Sequence, residues 1–208
     1  MKTNQTFSIV SYNIVIFNFL FACATHPIYS EDLTPADLYY YDGKNRIELE
    51  VEPGLLAEFG APEEHTSPKS KSGVRALDKN AGLVRIKGRT NIWKTNAQGG
   101  SVSTSKSLNQ SKRIGYSPVF RSSQDGTLLA LPGNIIVEFS PSLSHSHIEN
   151  WLAMKGLRPV KKLEIANRNF YEVETPAGVP ALNLANSLVG QEGVVSSSPN
   201  WWREVSPK

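Results

Sequence analysis

The chain has 208 residues, of which 20% are charged, and its formal net charge is +3 at neutral pH. This length allows one or two modest domains. The lysines and arginines are scattered and form no basic stripe interleaved with aromatic residues. That distribution argues against a nucleic-acid-binding protein and indicates an ordinary solvated surface.

The first residues have the organisation of an export signal. Lys2 provides a weakly positive start, and Ile14–Ala24 is an apolar run broken only by Asn18. The run is too short to span a bilayer and has the length of a signal-peptide hydrophobic region. We therefore predict that residues 1–24 are a signal peptide and that the protein is exported to the periplasm, the outer membrane or the extracellular space.

Two cleavage sites compete at the end of this run. Ala22-Cys23-Ala24 fits ordinary signal peptidase, whereas Leu20-Phe21-Ala22-Cys23 resembles a bacterial lipobox, in which Cys23 is lipidated and holds the protein at the outer membrane. Cys23 is the only cysteine, so an intramolecular disulfide or a cysteine metal cluster is excluded. This anchor is the only membrane contact that the sequence predicts, and it predicts no cofactor and no metal.

Residues 31–121 are predicted to form a β-rich region. Asp42-Gly43 is a hairpin signal, and residues 46–51 alternate between polar and apolar as a half-buried strand does. Residues 60–81 are polar without an apolar period, and we interpret them as a flexible insertion. Two further strands are predicted, over Gly82–Lys87 and Tyr116–Phe120. The stretch 95–112 is again polar and poor in bulky residues.

Residues 127–200 are more regular and predict a complete small domain. A strand over Ile135–Phe139 precedes a helix that begins after the N-cap Ser144 and ends before Gly156. Pro180 suits the first turn of a second helix. The remaining predicted strands are Val160–Ile165, Asn169–Thr175 and Val194–Ser198.

The apolar residues of this domain recur at strand or helix spacing and define a predicted core. Its members are Ile135, Val137, Phe139, Ile148, Trp151, Leu152, Leu163, Val173, Leu184, Ala185 and Leu188. We expect this set to be closed, so that residues 133–200 fold without residues 31–120. The order strand, helix, strand, strand, helix, strand predicts an α+β fold of the ferredoxin-like type, an antiparallel sheet with two helices on one face. The opposite face must be solvated or bound to a partner.

Several short pieces follow one another in a characteristic order. They are IIVEF, SHSHIENWLAMKGL, VKKL, NFYEVETPAG, LNLANSL, GVV and SPN. This series resembles the propeptide domain of subtilisin-like serine proteases, especially the fervidolysin-like kind, over residues 118–204. The resemblance implies that residues 31–121 are a degenerate first copy of the same module. In that copy residues 82–87 would be an inner strand, and residues 107–120 the last helix and strand.

The signatures of a subtilisin-like catalytic domain are absent from the sequence. Neither His-Gly-Thr-His nor Gly-Thr-Ser-Met/Ala occurs, and there is no Gly-x-Ser-x-Gly motif. A catalytic triad needs all three of its members in place, so we predict that the protein is not an enzyme. His145 and His147 are two residues apart and do not share a helix face. We interpret them as exposed first-turn residues rather than metal ligands.

Residues 201–208 are predicted to be an extended tail. By the resemblance, the tail occupies the substrate cleft of a partner protease and adds a strand there, with the scissile position between Arg203 and Lys208. Pro207 lacks an N–H and would hinder cleavage. Either Trp201 and Trp202 are a binding hot spot for protein or carbohydrate, or one of them packs back on the sheet edge. The predicted cleft-binding residues are Asn200, Trp201, Trp202, Arg203, Glu204, Val205, Ser206 and Pro207.

The resemblance implies an exported, non-catalytic protein whose partner is a separately encoded subtilisin-like serine protease. The protein would inhibit that protease, assist its folding, or do both. Two alternatives stay open at this point. One is a remnant of a truncated protease precursor, and the other is a structural or adhesion lipoprotein.

Overall fold

The computed structural model describes residues 38–60, 72–96, 100–109 and 114–204. This part of the chain is α+β, with two antiparallel sheets and four short helices. The predicted signal peptide, the lipidation candidate Cys23 and residues 205–208 of the predicted tail lie outside the described residues. No helix among the described residues is long and apolar enough to cross a lipid bilayer.

Along the chain, groups of two or three strands alternate with single short helices. The strands that precede residue 134 are β1 (Tyr39–Asp42), β2 (Asn45–Phe59), β3 (Gly82–Lys87), β4 (Thr90–Lys94), β5 (Gly115–Ser122) and β6 (Leu128–Ala130). Those that follow are β7 (Ile135–Phe139), β8 (Pro159–Ile165), β9 (Arg168–Val173), β10 (Val194–Pro199) and β11 (Trp202–Arg203). The helices are α1 (Gly73–Leu77), α2 (Gly100–Leu108), α3 (His145–Met154) and α4 (Val179–Leu188).

The second sheet contains four strands in the order β10-β7-β9-β8. Ile135, Val137 and Phe139 alternate along β7 and are fully buried, as predicted. They pack with Ile148 of α3 and Leu184 of α4 in one apolar cluster, so both helices cover the same face of this sheet. Ser144 caps α3 by accepting a hydrogen bond from the His147 amide, which also confirms the predicted helix start.

The first sheet contains seven strands in the order β11-β6-β5-β2-β4-β3, with β1 paired to β2 in the predicted hairpin. Val74 of α1 and Leu108 of α2 pack with Leu56, Trp93 and Tyr116 in a second cluster. Both helices therefore lie on one face of this sheet. A third cluster, centred on Ala57, Ile92 and Val119, lies on the other face.

The two halves of the described chain have the same topology. Strands β2, β3, β4 and β5 with helices α1 and α2 follow the order strand, helix, strand, strand, helix, strand, and so do β7, β8, β9 and β10 with α3 and α4. In both sheets the fourth strand of this unit pairs with the first, the first with the third, and the third with the second. We call these units the first and the second module. Strands β6 and β11 extend the sheet of the first module.

Several predictions for the first module were wrong. Residues 73–77 form α1, capped by Ser72, although residues 60–81 were interpreted as a flexible insertion. The last helix and strand predicted over 107–120 are both present as α2 and β5, but the helix begins at Gly100 and ends at Leu108. Residues 82–87 form a strand, as predicted, but β3 is an outermost strand of the sheet and not an inner one. Strand β4 was not predicted at all.

The predicted core was also not closed. Ile47 and Phe120 of the first sheet belong to the same apolar cluster as Ile135 and Leu184 of the second module. Leu163, in contrast, lies outside all three clusters. Whether residues 133–200 fold alone stays a prediction, but the largest core of the described chain is shared between both modules.

Polar contacts also join the two modules. The Asn109 side-chain amide donates to the carbonyl oxygens of Tyr116 at 2.8 Å and Ala177 at 3.1 Å. The Asn186 amide donates to the Tyr39 carbonyl at 2.7 Å. Gly115 lies so close to Ala177 that an added Cβ would meet the alanine Cβ at 2.8 Å. The described chain therefore packs as one body around a common core.

Candidate functional site

The face of the second sheet opposite α3 and α4 is the first candidate site, and we call it the open face. Strand alternation directs Glu138, Phe170 and Leu163 to this face, because their neighbours Val137, Phe139 and Tyr171 are buried under the helices. The register places Glu138 opposite Phe170, and Phe170 opposite Leu163. These side chains therefore form one row across three strands.

The open face is apolar at its centre. Ile136, Leu163 and Phe170 are only half-buried, and none of them belongs to a cluster of buried apolar residues in the described chain. Ile165 extends the patch along the edge strand β8 and is 46% exposed. Apolar side chains that a sheet face leaves partly exposed are typical of a protein-binding surface.

The charged groups of the open face are already paired within the protein. Glu138 is only 5% exposed, and it accepts hydrogen bonds from the Arg168 guanidinium at 2.6 Å and the Ser196 hydroxyl at 3.2 Å. The Arg168 guanidinium also lies 5.0 Å from the centre of the Phe170 ring. A partner that covers this face would therefore bury a satisfied carboxylate rather than an isolated one, which lowers the cost of desolvation.

A second row of polar contacts lies beside the first. Glu172 accepts from the Asn134 amide at 2.7 Å and forms an ion pair with Lys161 at 3.3 Å. Its register partner on β7 is Ile136. The open face thus combines an apolar strip with side chains held in fixed positions by their own partners.

The predicted tail is the second candidate site, and the structure holds its first residues against the first sheet. Asn200 donates its backbone N–H to the Asn134 carbonyl, and Trp201 packs edge-on against Tyr40 with the ring centres 5.1 Å apart. Trp202 and Arg203 form β11, which pairs with β6. These contacts confirm the alternative in which one tryptophan packs back on the sheet edge, and the other tryptophan also lies against the sheet.

The two ends of the first sheet meet at the tail. Val84 of β3 and Trp202 of β11 line the same apolar pit of about 50 Å³. Arg85 of β3 forms an ion pair with Glu204, directly after β11. Because β3 and β11 are the two outermost strands of this sheet, the sheet curls until its ends approach each other.

These contacts change the interpretation of residues 201–204. Trp202 and Arg203 are extended, but they are paired with β6, and Glu204 is bonded to Leu128, so these residues do not project freely from the second module. Binding in a partner's cleft stays a prediction, and it requires that Trp202 and Arg203 first leave β6. Of the predicted cleft-binding residues, Val205, Ser206 and Pro207 lie outside the described residues.

His145 lies in the first turn of α3 and also has two side-chain partners. His145 is exposed, as predicted, but its Nδ1 lies 2.5 Å from the Tyr171 hydroxyl and its Nε2 lies 3.3 Å from the Glu149 carboxylate. Burial, then the nearby Glu149 and Glu164 carboxylates, raise the pKa of Tyr171. Within the described residues, no group of three or more histidine, cysteine or acidic side chains could hold a metal ion.

A buried polar cluster in the first module was not predicted. The fully buried Glu58 carboxylate accepts from the Asn91 amide at 3.0 Å, the Trp93 indole at 2.9 Å and the Tyr116 hydroxyl at 3.2 Å. Burial, followed by the Glu58 charge, raises the pKa of Tyr116 well above its usual range. The cluster lies beneath α1, where Gly73 is so close to the Tyr116 hydroxyl that an added Cβ would meet it at 2.8 Å.

Comparisons with protein-family models, with curated proteins and with solved structures found no match for this chain.

Proposed function

We propose that the protein is an exported, non-catalytic partner of a subtilisin-like serine protease, which it inhibits, helps to fold, or both. The observation that carries this proposal is the open face, an apolar strip of half-buried side chains whose neighbouring charges are already paired. The resemblance of residues 118–204 to protease propeptides supplies the class of partner.

We also propose that each module has the ferredoxin-like arrangement. The order of pairing in both sheets, fourth strand to first, first to third and third to second, supports this assignment. Both helices of each module lie on one face of its sheet. The proposal makes the first module a second copy of the propeptide-like unit, extended by β6 and β11.

In the proposed complex the open face covers paired helices on the protease surface. Ile136, Leu163 and Phe170 would lose their remaining exposed area, while Glu138 and Glu172 keep the partners that they already have. The tail would lie along the substrate cleft and add a strand to its edge. Because the domain is folded before it binds, little further ordering opposes association.

The open face can be tested with two adjacent positions on the edge strand β8. We expect Leu163→Gln to weaken inhibition of a bacterial subtilisin by about tenfold or more, because it places a polar amide in the apolar strip. Lys162→Gln is the matched control, since the strand alternates and Lys162 lies on the helix side. Circular dichroism checks that both variants remain folded.

The tail is tested separately by a chain that ends at Asn200. If the tail enters the cleft, this truncation should raise the inhibition constant about tenfold, or roughly 1.4 kcal/mol. Equal inhibition by Leu163→Gln and Lys162→Gln would remove the open face from the proposal. A wild-type chain that neither inhibits subtilisin nor accelerates the refolding of denatured subtilisin would overturn the function itself.

We propose export on the basis of residues 1–24 and a lipid anchor at Cys23. The anchor would place the inhibitor at the outer membrane, where it meets proteases as they are exported. Ordinary cleavage after Ala24 would instead release the protein to the periplasm or the outside of the cell.

A further inference from the structure

We propose that the edge of β6 opposite β5, together with the pit beside it, is a strand-acceptor site that sequesters residues 202–204. In this arrangement the first module and a protease compete for the same segment. The second part of this inference rests on the proposed function. The first part depends only on contacts within the chain.

The acceptor site makes backbone contacts with the segment. The register places Trp202 opposite Ala130 and Arg203 opposite Leu129. The Glu204 N–H donates to the Leu128 carbonyl at 2.9 Å. The segment thus completes a β-ladder whose next strand, β5, belongs to the core of the first module.

Side chains give the acceptor site its preference. Trp202 is half-buried against the third apolar cluster and contributes a wall of the pit, together with Val84 and Leu128. The Arg85 guanidinium pairs with the Glu204 carboxylate from the opposite end of the sheet. The site therefore fits an extended strand with an aromatic residue followed two positions later by an acidic one.

Occupation of this site and occupation of a protease cleft exclude each other. A cleft that binds the tail as a strand takes up backbone N–H and C=O groups of the same residues. The Trp202 side chain cannot lie in the pit and in a protease subsite at once. Only chains with a free tail can bind the cleft. The apparent inhibition constant therefore equals the intrinsic constant divided by the fraction of chains whose tail is free.

The inference predicts that opening the acceptor site strengthens inhibition. The test uses Arg85→Glu, which replaces the ion pair with repulsion, and Val84→Asp, which places a carboxylate in the pit. Neither substitution changes the tail. Lys87→Glu is the matched control, because it makes the same charge change on the same strand at an exposed position.

Two measurements are made on the full chain and its variants. The first is hydrogen exchange of the Glu204 amide, which we expect to accelerate about tenfold in both opening variants and to stay unchanged in Lys87→Glu. The second is the inhibition constant against a bacterial subtilisin. We expect it to fall about three- to tenfold in Arg85→Glu and Val84→Asp but not in the control.

The outcomes separate the two proposals. Unchanged exchange at Glu204 in both opening variants would overturn the acceptor site. Faster exchange with an unchanged inhibition constant would overturn the competition, while inhibition by the wild-type chain would leave the proposed function standing. If no form inhibits, including the opened variants, it is the proposed function that fails, and the competition fails with it.

Discussion

Glu58 is a carboxylate with no exposed surface in the middle of the first sheet. Its oxygens accept hydrogen bonds from Asn91, Trp93 and Tyr116, which lie on two strands that flank β2. Hydrogen bonding of this kind offsets part of the cost of burying a charged group. The cluster consequently ties β4 and β5 to β2 through side chains as well as through the backbone.

The raised pKa of Tyr116 predicts how stability depends on pH. In the unfolded chain the phenol ionises near pH 10, but in the folded protein burial and Glu58 keep it protonated to higher pH. The folded state therefore holds the proton that the unfolded state loses. Stability from this group is fully present below about pH 10 and declines above it by up to about 1.4 kcal/mol per pH unit.

Tyr116→Phe should make this alkaline decline shallower. The variant should also lose about 1–3 kcal/mol at neutral pH, because Glu58 loses a donor. Urea unfolding between pH 8 and 11 gives both the loss of stability and the slope of the alkaline decline. Tyr41→Phe serves as the control. Because the pKa of Tyr171 is raised as well, part of the decline should remain. If the slope of stability against pH is unchanged in Tyr116→Phe, the alkaline decline does not come from Tyr116.

Helix α2 shows why part of the fold could not be predicted. Its buried residues include Ser101, Thr104 and Ser105, which lie against the sheet where apolar residues are expected. The hydroxyls of Thr104 and Ser105 donate to carbonyl oxygens of their own helix. Small polar side chains of this kind can be buried, but they leave no apolar period in the sequence.

Ser101 provides a test of this helix. Its hydroxyl is buried and has no hydrogen-bond partner among the described residues, unlike those of Thr104 and Ser105. Ser101→Ala should stabilise the protein by about 1 kcal/mol, because it removes an unsatisfied polar group and favours the helix. Ser103→Ala, at an exposed position, should give only the helix-propensity gain of about 0.5 kcal/mol. Equal urea midpoints for the two variants would show that the Ser101 hydroxyl is satisfied in solution.

The second module was predictable because each element has a single apolar face and clear end signals. The alternation in β7, the cap at Ser144 and the proline in the first turn of α4 all agree with the structure. Strand β4 was missed because Asn91 is a buried polar residue whose partner, Glu58, is 33 residues away. The pairing of β11 with β6 was missed because the local sequence of a strand does not show which distant strand it pairs with, or in which register.

The two modules share their largest apolar cluster. Leu184 of α4 lies in this cluster with Ile47 and Phe120 of the first sheet. Leu184→Ala should cost about 2–5 kcal/mol. Because the cluster is common, this loss should lower the stability of both modules together.

Hydrogen exchange during urea unfolding can test whether the two modules lose stability together. Amides of β4 in the first module and of β9 in the second should become exposed at one common midpoint, and Leu184→Ala should lower it for both. The Ser101→Ala variant provides the corresponding comparison for a substitution in the first module. If β4 and β9 have separate urea midpoints and Leu184→Ala lowers only the midpoint of β9, the modules unfold independently.

The β6–β11 pair also determines how the molecule responds to mechanical load. In an antiparallel pair the hydrogen bonds lie across the strands, and a pull on the chain beyond residue 204 would first reach the bond between the Glu204 N–H and the Leu128 carbonyl. The bonds of β11 would then open one after another, as in unzipping, at low force. Strand β10, which is held to β7 along its length, would bear load only afterwards, so the tail can be peeled off while the second module keeps its shape.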